Sequence, residues 1–131
     1  MKRKKSVSDG HLMKKWRLAV LSEFNYACPR CGNSNVNELE CHHVVKRARK
    51  VLRWDYKNGI PGCKYDCHLF YHTKKGERFI ENHVDYDYLL ENENKLYKTH
   101  LMENSLTDNE FRSLRLNELK EITEKNNKEL L

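Results

Sequence analysis

The sequence predicts an α+β protein, in which a small core of strand, loop and short helix is stapled by metal and flanked by longer helices. Three observations predict it. Between Glu40 and His72, seven metal-capable side chains (Cys41, His42, His43, Cys63, Cys67, His68 and His72) share a stretch otherwise suited to a strand, a loop and one helix. The other cysteines extend this pattern into two close pairs, Cys28-Pro-Arg-Cys31 and Cys63-Lys-Tyr-Asp-Cys67. Apolar residues recur at helical spacing before and after this region. At 131 residues the chain suits one compact domain with extensions. It divides into a basic tail over 1–10, a metal-bearing core over 11–76 and a helical extension over 77–131.

The formal net charge of +6 is unevenly spread. Met1 to Cys31 carries eight basic and two acidic residues, beginning with Lys2-Arg3-Lys4-Lys5. That run reads as a solvated end in preference to a DNA-binding arm. From Asp9, taken as the cap, a helix is expected whose Leu12, Met13, Trp16, Val20 and Leu21 form an apolar stripe leading into the first cysteine pair. Trp16 is then a core residue.

A tetrahedral ion needs four soft ligands aimed at one point, and a tight turn between two cysteines supplies two of them. Cys28, Cys31, Cys63 and Cys67 are therefore the expected ligands of a structural Zn²⁺, with Pro29 and Gly32 helping the first turn. The second pair has three intervening residues where two are commonest. The competing reading is four buried thiols acting as small apolar residues. Five cysteines with this pairing suit a reducing compartment better than a disulfide scaffold, and they leave Cys41 as a buried strand residue.

A second centre is expected from the histidines. If Asp66 caps a helix over Cys67 to His72, His68 and His72 stand four apart on one face, a spacing that lets two imidazoles share an ion. His42 and His43 are adjacent on a strand, so alternation sends them to opposite faces unless the strand ends or distorts there. Between them and Asn58 the run Lys46 to Lys57 carries six basic residues against one acidic. Lys46, Arg47, Arg49, Lys50 and Arg53 are the expected phosphate contacts, with a solvated face as the competing reading. Trp54 pins this loop to the core. Asn58-Gly59 is also a strong hairpin-turn signal.

Gly76 reads as a helix stop. The stretch Glu81 to Asn94, with five acidic and no basic side chains, should face away from nucleic acid or screen part of it. Thr107-Asp-Asn-Glu110 is a capping-box pattern before Phe111, Leu114, Leu119 and Ile122, which predicts a final amphipathic helix packed on the core or on a partner. No apolar run is long enough to span a membrane and no secretory signal pattern is present, so a cytoplasmic protein is expected.

From Cys28 to His72 the residues resemble the HNH endonucleases with a ββα-metal (His-Me) finger, especially phage-type members that add a four-cysteine zinc knuckle. Members carry a paired histidine, or Asp-His, on the first strand, an asparagine after a loop and one or two histidines on the next helix. Here these read His42-His43, Asn58, and His68 with His72. The run Arg53-Trp54-Asp55 followed by Asn58-Gly59 also looks like part of this family. The resemblance implies His42 and His68 as ligands of a catalytic divalent metal (Mg²⁺, Mn²⁺, Ni²⁺ or Zn²⁺), with His72 a third ligand as in the colicin-type DNases. It implies His43 as general base, Asn58 as the residue holding the loop and base, double-stranded DNA as the partner, and products with 5′ phosphates. A zinc-stabilised nucleic-acid-binding module without catalysis would use the same cysteines and basic loop, yet would need no such set of histidines.

Overall fold

The structure, a computed structural model, describes residues 7–47, 50–96 and 107–129. Its elements are α1 (Asp9–Glu23), a 3-10 turn at Val36–Glu38, β1 (Leu39–His43), β2 (Gly59–Cys63), α2 (Cys67–Tyr71), α3 (Lys74–Glu81), α4 (Tyr86–Leu96) and α5 (Asp108–Glu129). Helices around one small sheet make this an α+β fold, as the sequence predicts. The tail Lys2 to Lys5 and the loop residue Arg49 lie outside the described residues.

Helix α1 is capped by Ser8 and not by Asp9. The Ser8 backbone is extended and its hydroxyl accepts a hydrogen bond from the His11 amide at 3.2 Å. Asp9 lies inside the first turn, where its carboxylate pairs with Arg112 of α5 at 2.6 Å. Leu12, Trp16, Val20 and Leu21 are buried as expected, together with Ala19, while Met13 is half-buried. Trp54 and Leu119 complete the core on this side of the sheet.

The sheet has two antiparallel strands in the register Leu39↔Cys63, Glu40↔Gly62, Cys41↔Pro61, His42↔Ile60 and His43↔Gly59. Alternation sorts these pairs between two faces. Gly59 sits against α1, where an added Cβ would lie 2.7 Å from the Trp16 ring and 2.6 Å from Val20. Gly62 sits against α2, where a Cβ would lie 2.6 Å from the Tyr71 ring. The two missing side chains let a helix close on each face. Asn58-Gly59 forms no hairpin turn: β1 ends at His43, β2 begins at Gly59, and the segment between them is a loop stitched to the core.

Two further local expectations change. Asp66 precedes α2 without a side-chain cap bond, because its carboxylate is drawn to Arg30 at 3.3 Å. Gly76 does not stop a helix but lies buried within α3, where an added Cβ would lie 1.8 Å from the Phe70 carbonyl oxygen. Its role is close approach, since α3 folds back onto the end of α2. The chain then continues so that Glu81, Asp85 and Asp87 border the same cleft as the histidines.

Helix α5 opens with the predicted capping box: Thr107 Oγ1 accepts from the Glu110 amide at 3.2 Å, and Glu110 accepts from the Thr107 amide at 3.4 Å. Phe111 and Leu119 are buried, Ile122 is half-buried, and Leu114 is exposed. The buried position beside Leu114 belongs to Arg115, which is only 4% exposed.

Candidate metal centres and their cleft

Cys28, Cys31, Cys63 and Cys67 come from the turn after α1, the end of β2 and the start of α2, and their Sγ atoms all lie within 4.8 Å of one another. A Zn–S bond of about 2.3 Å places tetrahedral sulfurs about 3.8 Å apart, so this donor set fits such an ion. Cys31 Sγ and Cys63 Sγ stand 3.0 Å apart. Arg30 and Asn33 each direct an N–H at a sulfur, toward Cys67 and Cys63 respectively, both at 3.6 Å. Burial disfavours a thiolate at Cys28, but the backbone amides of Cys31 and Arg30 help outweigh it and bring the thiol down to about 7. Cys63 is pushed up to about 12, first by its hydrogen bond with Cys31 and then by burial. The fifth thiol, Cys41, lies apart from this set against the Arg17 carbonyl, and burial pushes it up to about 12.

The second group lies on the α2 face of the sheet. His42, His68 and His72 each present a ring nitrogen, and these nitrogens lie within 4.8 Å of one another. Metal–imidazole bonds of about 2.0–2.1 Å allow such a set to share one ion. Helix α2 closes at Tyr71, yet His72 keeps a helical backbone as its C-cap, so the i, i+4 relation to His68 survives. Burial, followed by the neighbouring His72 and His68 rings, pushes His42 down to about 4. Its imidazole is neutral, the state that binds a metal.

Glu40 belongs to this centre and was not singled out from the sequence. Its Oε2 accepts from Nδ1–H of His68 at 2.5 Å, which leaves Nε2 of His68 as the free donor for an ion. The signal was available: Glu40 precedes His42 by two residues, so both side chains leave β1 on the same face.

His43 obeys the same alternation. The ladder stays regular through the His43↔Gly59 pair, so β1 ends on the histidine pair without distorting before it. The His43 ring therefore lies on the α1 face, stacked on Trp16 at 3.9 Å between centroids and 6° between planes. Its Nε2 lies 3.0 Å from the Arg53 carbonyl oxygen. A carbonyl can only accept, so Nε2 carries the proton and Nδ1 keeps the lone pair. Burial, opposed by that carbonyl, pushes the imidazole down to about 4, and it is neutral at physiological pH. His43 and His42 both border one open cleft of about 1380 Å³.

Asn58 is fully buried and holds the loop between the strands. It accepts from the Val45 amide at 2.6 Å and donates to the Val45 and Leu52 carbonyls, each at 3.1 Å. Trp54 is buried, with its ring 6.4 Å from that of His43 and steeply inclined to it, which fits the pinning role expected of it. Of the basic residues, Lys46, Arg47 and Lys50 are exposed, and the first two border the cleft. Arg53 is half-buried, with Nε donating to the Arg47 carbonyl. Glu81, Asp85 and Asp87, with Glu77, line the same cleft, which leaves screening, and not facing away, as the expected role of the acidic stretch.

Among the described residues, no helix is long and apolar enough to cross a membrane. Compared with protein-family models, curated proteins and solved structures, the chain matches none.

Proposed function

We propose that the chain is a metal-dependent endonuclease of the HNH, ββα-metal type, which hydrolyses DNA phosphodiester bonds and is stiffened by a four-cysteine zinc site. One observation carries the reading. The ring nitrogens of His42, His68 and His72 lie within 4.8 Å of one another, the adjacent His43 on the other face of β1 is held neutral in one tautomer, and all four residues border one cleft. A binding module needs neither a converged imidazole triad nor an oriented base.

In this reading His42, His68 and His72 hold the divalent ion and Glu40 fixes the His68 ring. The ion, when bound, supplies positive charge against the scissile phosphate and the departing oxygen. The remaining steps belong to the chain. Nδ1 of His43 takes a proton from the attacking water, and the Arg53 carbonyl steadies the imidazolium that forms. Asn58 fixes the loop that carries this carbonyl. Lys46 and Arg47, which border the cleft, and the exposed Lys50 supply the positive charge that phosphates near the reacting one would meet. The cleft exceeds the roughly 300–1,000 Å³ of small-molecule sites, as a segment of polymer requires.

The test is cleavage of supercoiled plasmid by purified protein with Mg²⁺, Mn²⁺, Ni²⁺ or Zn²⁺, each compared with excess chelator. Nicked or linear product that appears with metal and stops with chelator supports the proposal. Retardation of the same DNA with no cleavage under any of these ions rejects it in favour of the zinc-stabilised binding module.

A further inference from the structure

We propose that Arg115 of α5 is a positioning residue for His43, acting through the loop between the strands. The inference rests on the reading of His43 as the base. Arg115 and Asp55 are both almost wholly buried, with side chains 4% and 3% exposed, and their charged groups lie 3.5 Å apart. From the same guanidinium, one nitrogen donates to the Val51 carbonyl at 2.8 Å and another to Glu118 at 3.0 Å. Its Nε is buried and has no hydrogen-bond partner among the described residues.

An apolar side chain of similar volume would fill this place without desolvating a charge, so packing alone does not call for arginine. What arginine adds is a hold on two points of one loop, Val51 and Asp55. These flank Arg53, whose carbonyl fixes the His43 tautomer. A second route runs from the same place. The Asp55 carbonyl accepts from Trp16 Nε1 at 2.8 Å, and Trp16 stacks on the His43 ring. Asp55 is further braced by Asn92 of α4 at 2.9 Å. Thus the guanidinium holds both the acceptor and the stacking partner of His43, and places a residue of the extension behind a site built by the core.

The experiment pairs turnover with the nitrogen NMR signals of the His43 imidazole in full-length, zinc-loaded protein. Arg115→Met keeps the length and apolar packing but removes the charge and the donors. It is expected to lower kcat about 10- to 100-fold with KM little changed, because only the alignment of the base is lost. In the same protein the His43 nitrogens should move from a single protonated-Nε2 pattern toward an average of both tautomers. Arg115→Lys keeps the charge but not the fork, so it should show the same changes in smaller degree, and it is read alone if Arg115→Met does not fold. A folded variant whose His43 pattern and kcat match wild type overturns the inference. If wild type cuts no DNA, the endonuclease reading fails, while the NMR comparison still decides whether Arg115 orients His43.

Discussion

The Glu40 carboxylate accepts a hydrogen bond from His68 Nδ1 at 2.5 Å, across the face that β1 presents to α2. This fixes the ring and leaves Nε2 to a metal. Removing the carboxylate with Glu40→Ala should weaken ion binding at the histidine centre about 10- to 100-fold. Zinc held by the cysteines should be unchanged. Calorimetric titration of zinc-loaded protein with Ni²⁺ checks this, and equal affinity in both proteins would assign Glu40 to the surface alone.

The four cysteines are expected to hold one zinc ion that a stoichiometric metal assay detects. Structural zinc contributes on the order of 10 kcal/mol to folding in small domains. Cys31→Ser or prolonged chelation should therefore abolish the cooperative thermal transition. An unchanged melting curve in metal-free protein would return these residues to the role of small apolar side chains.

Asn58→Ala leaves the Val45 amide and the Val45 and Leu52 carbonyls without their side-chain partner. With Asn58 fully buried and three backbone groups losing their partner, the loss should be about 3 kcal/mol in a urea denaturation series. A change within the error of that measurement would mean that the loop finds other partners.

The Asp9–Arg112 pair ties the start of α1 to α5 and gives a pH signature. The Arg112 guanidinium, by hydrogen bond and by charge, holds the Asp9 carboxyl below its usual 3.8. A depressed carboxyl contributes stability that is fully present above the unfolded value and is lost as pH falls through the folded one. Asp9→Asn should therefore melt lower than wild type at neutral pH, with the gap closing below 3.8. A gap that persists unchanged in acid would show that the pair contributes nothing through its charge.

Much of the site was legible because spacing alone expresses it. The cysteine pairs and the His68, His72 repeat lie within single turns, and local geometry brings each pair together without help from the rest of the chain. What stayed hidden depends on distant partners. Ser8 caps α1 while Asp9, the stronger-looking candidate, is drawn to Arg112 far along the sequence. Gly76 reads as a helix end in sequence because its true constraint, the Phe70 carbonyl against which α3 folds, lies in another helix. Arg115 occupies the buried position that periodicity offered to Leu114, because Asp55 waits in the loop to pair with it. The acidic stretch expresses only its charge in sequence, and its place at the cleft depends on the packing of elements far from it in the chain.

The central claim is that His43 removes the proton from the attacking water. His43→Ala, compared with wild type on the same plasmid and metal, should lower the cleavage rate about 10²- to 10⁴-fold. Zinc content, melting behaviour and DNA affinity should stay close to wild type, since a base need not touch the ground-state complex. A His43→Ala protein that cuts at the wild-type rate would contradict the account.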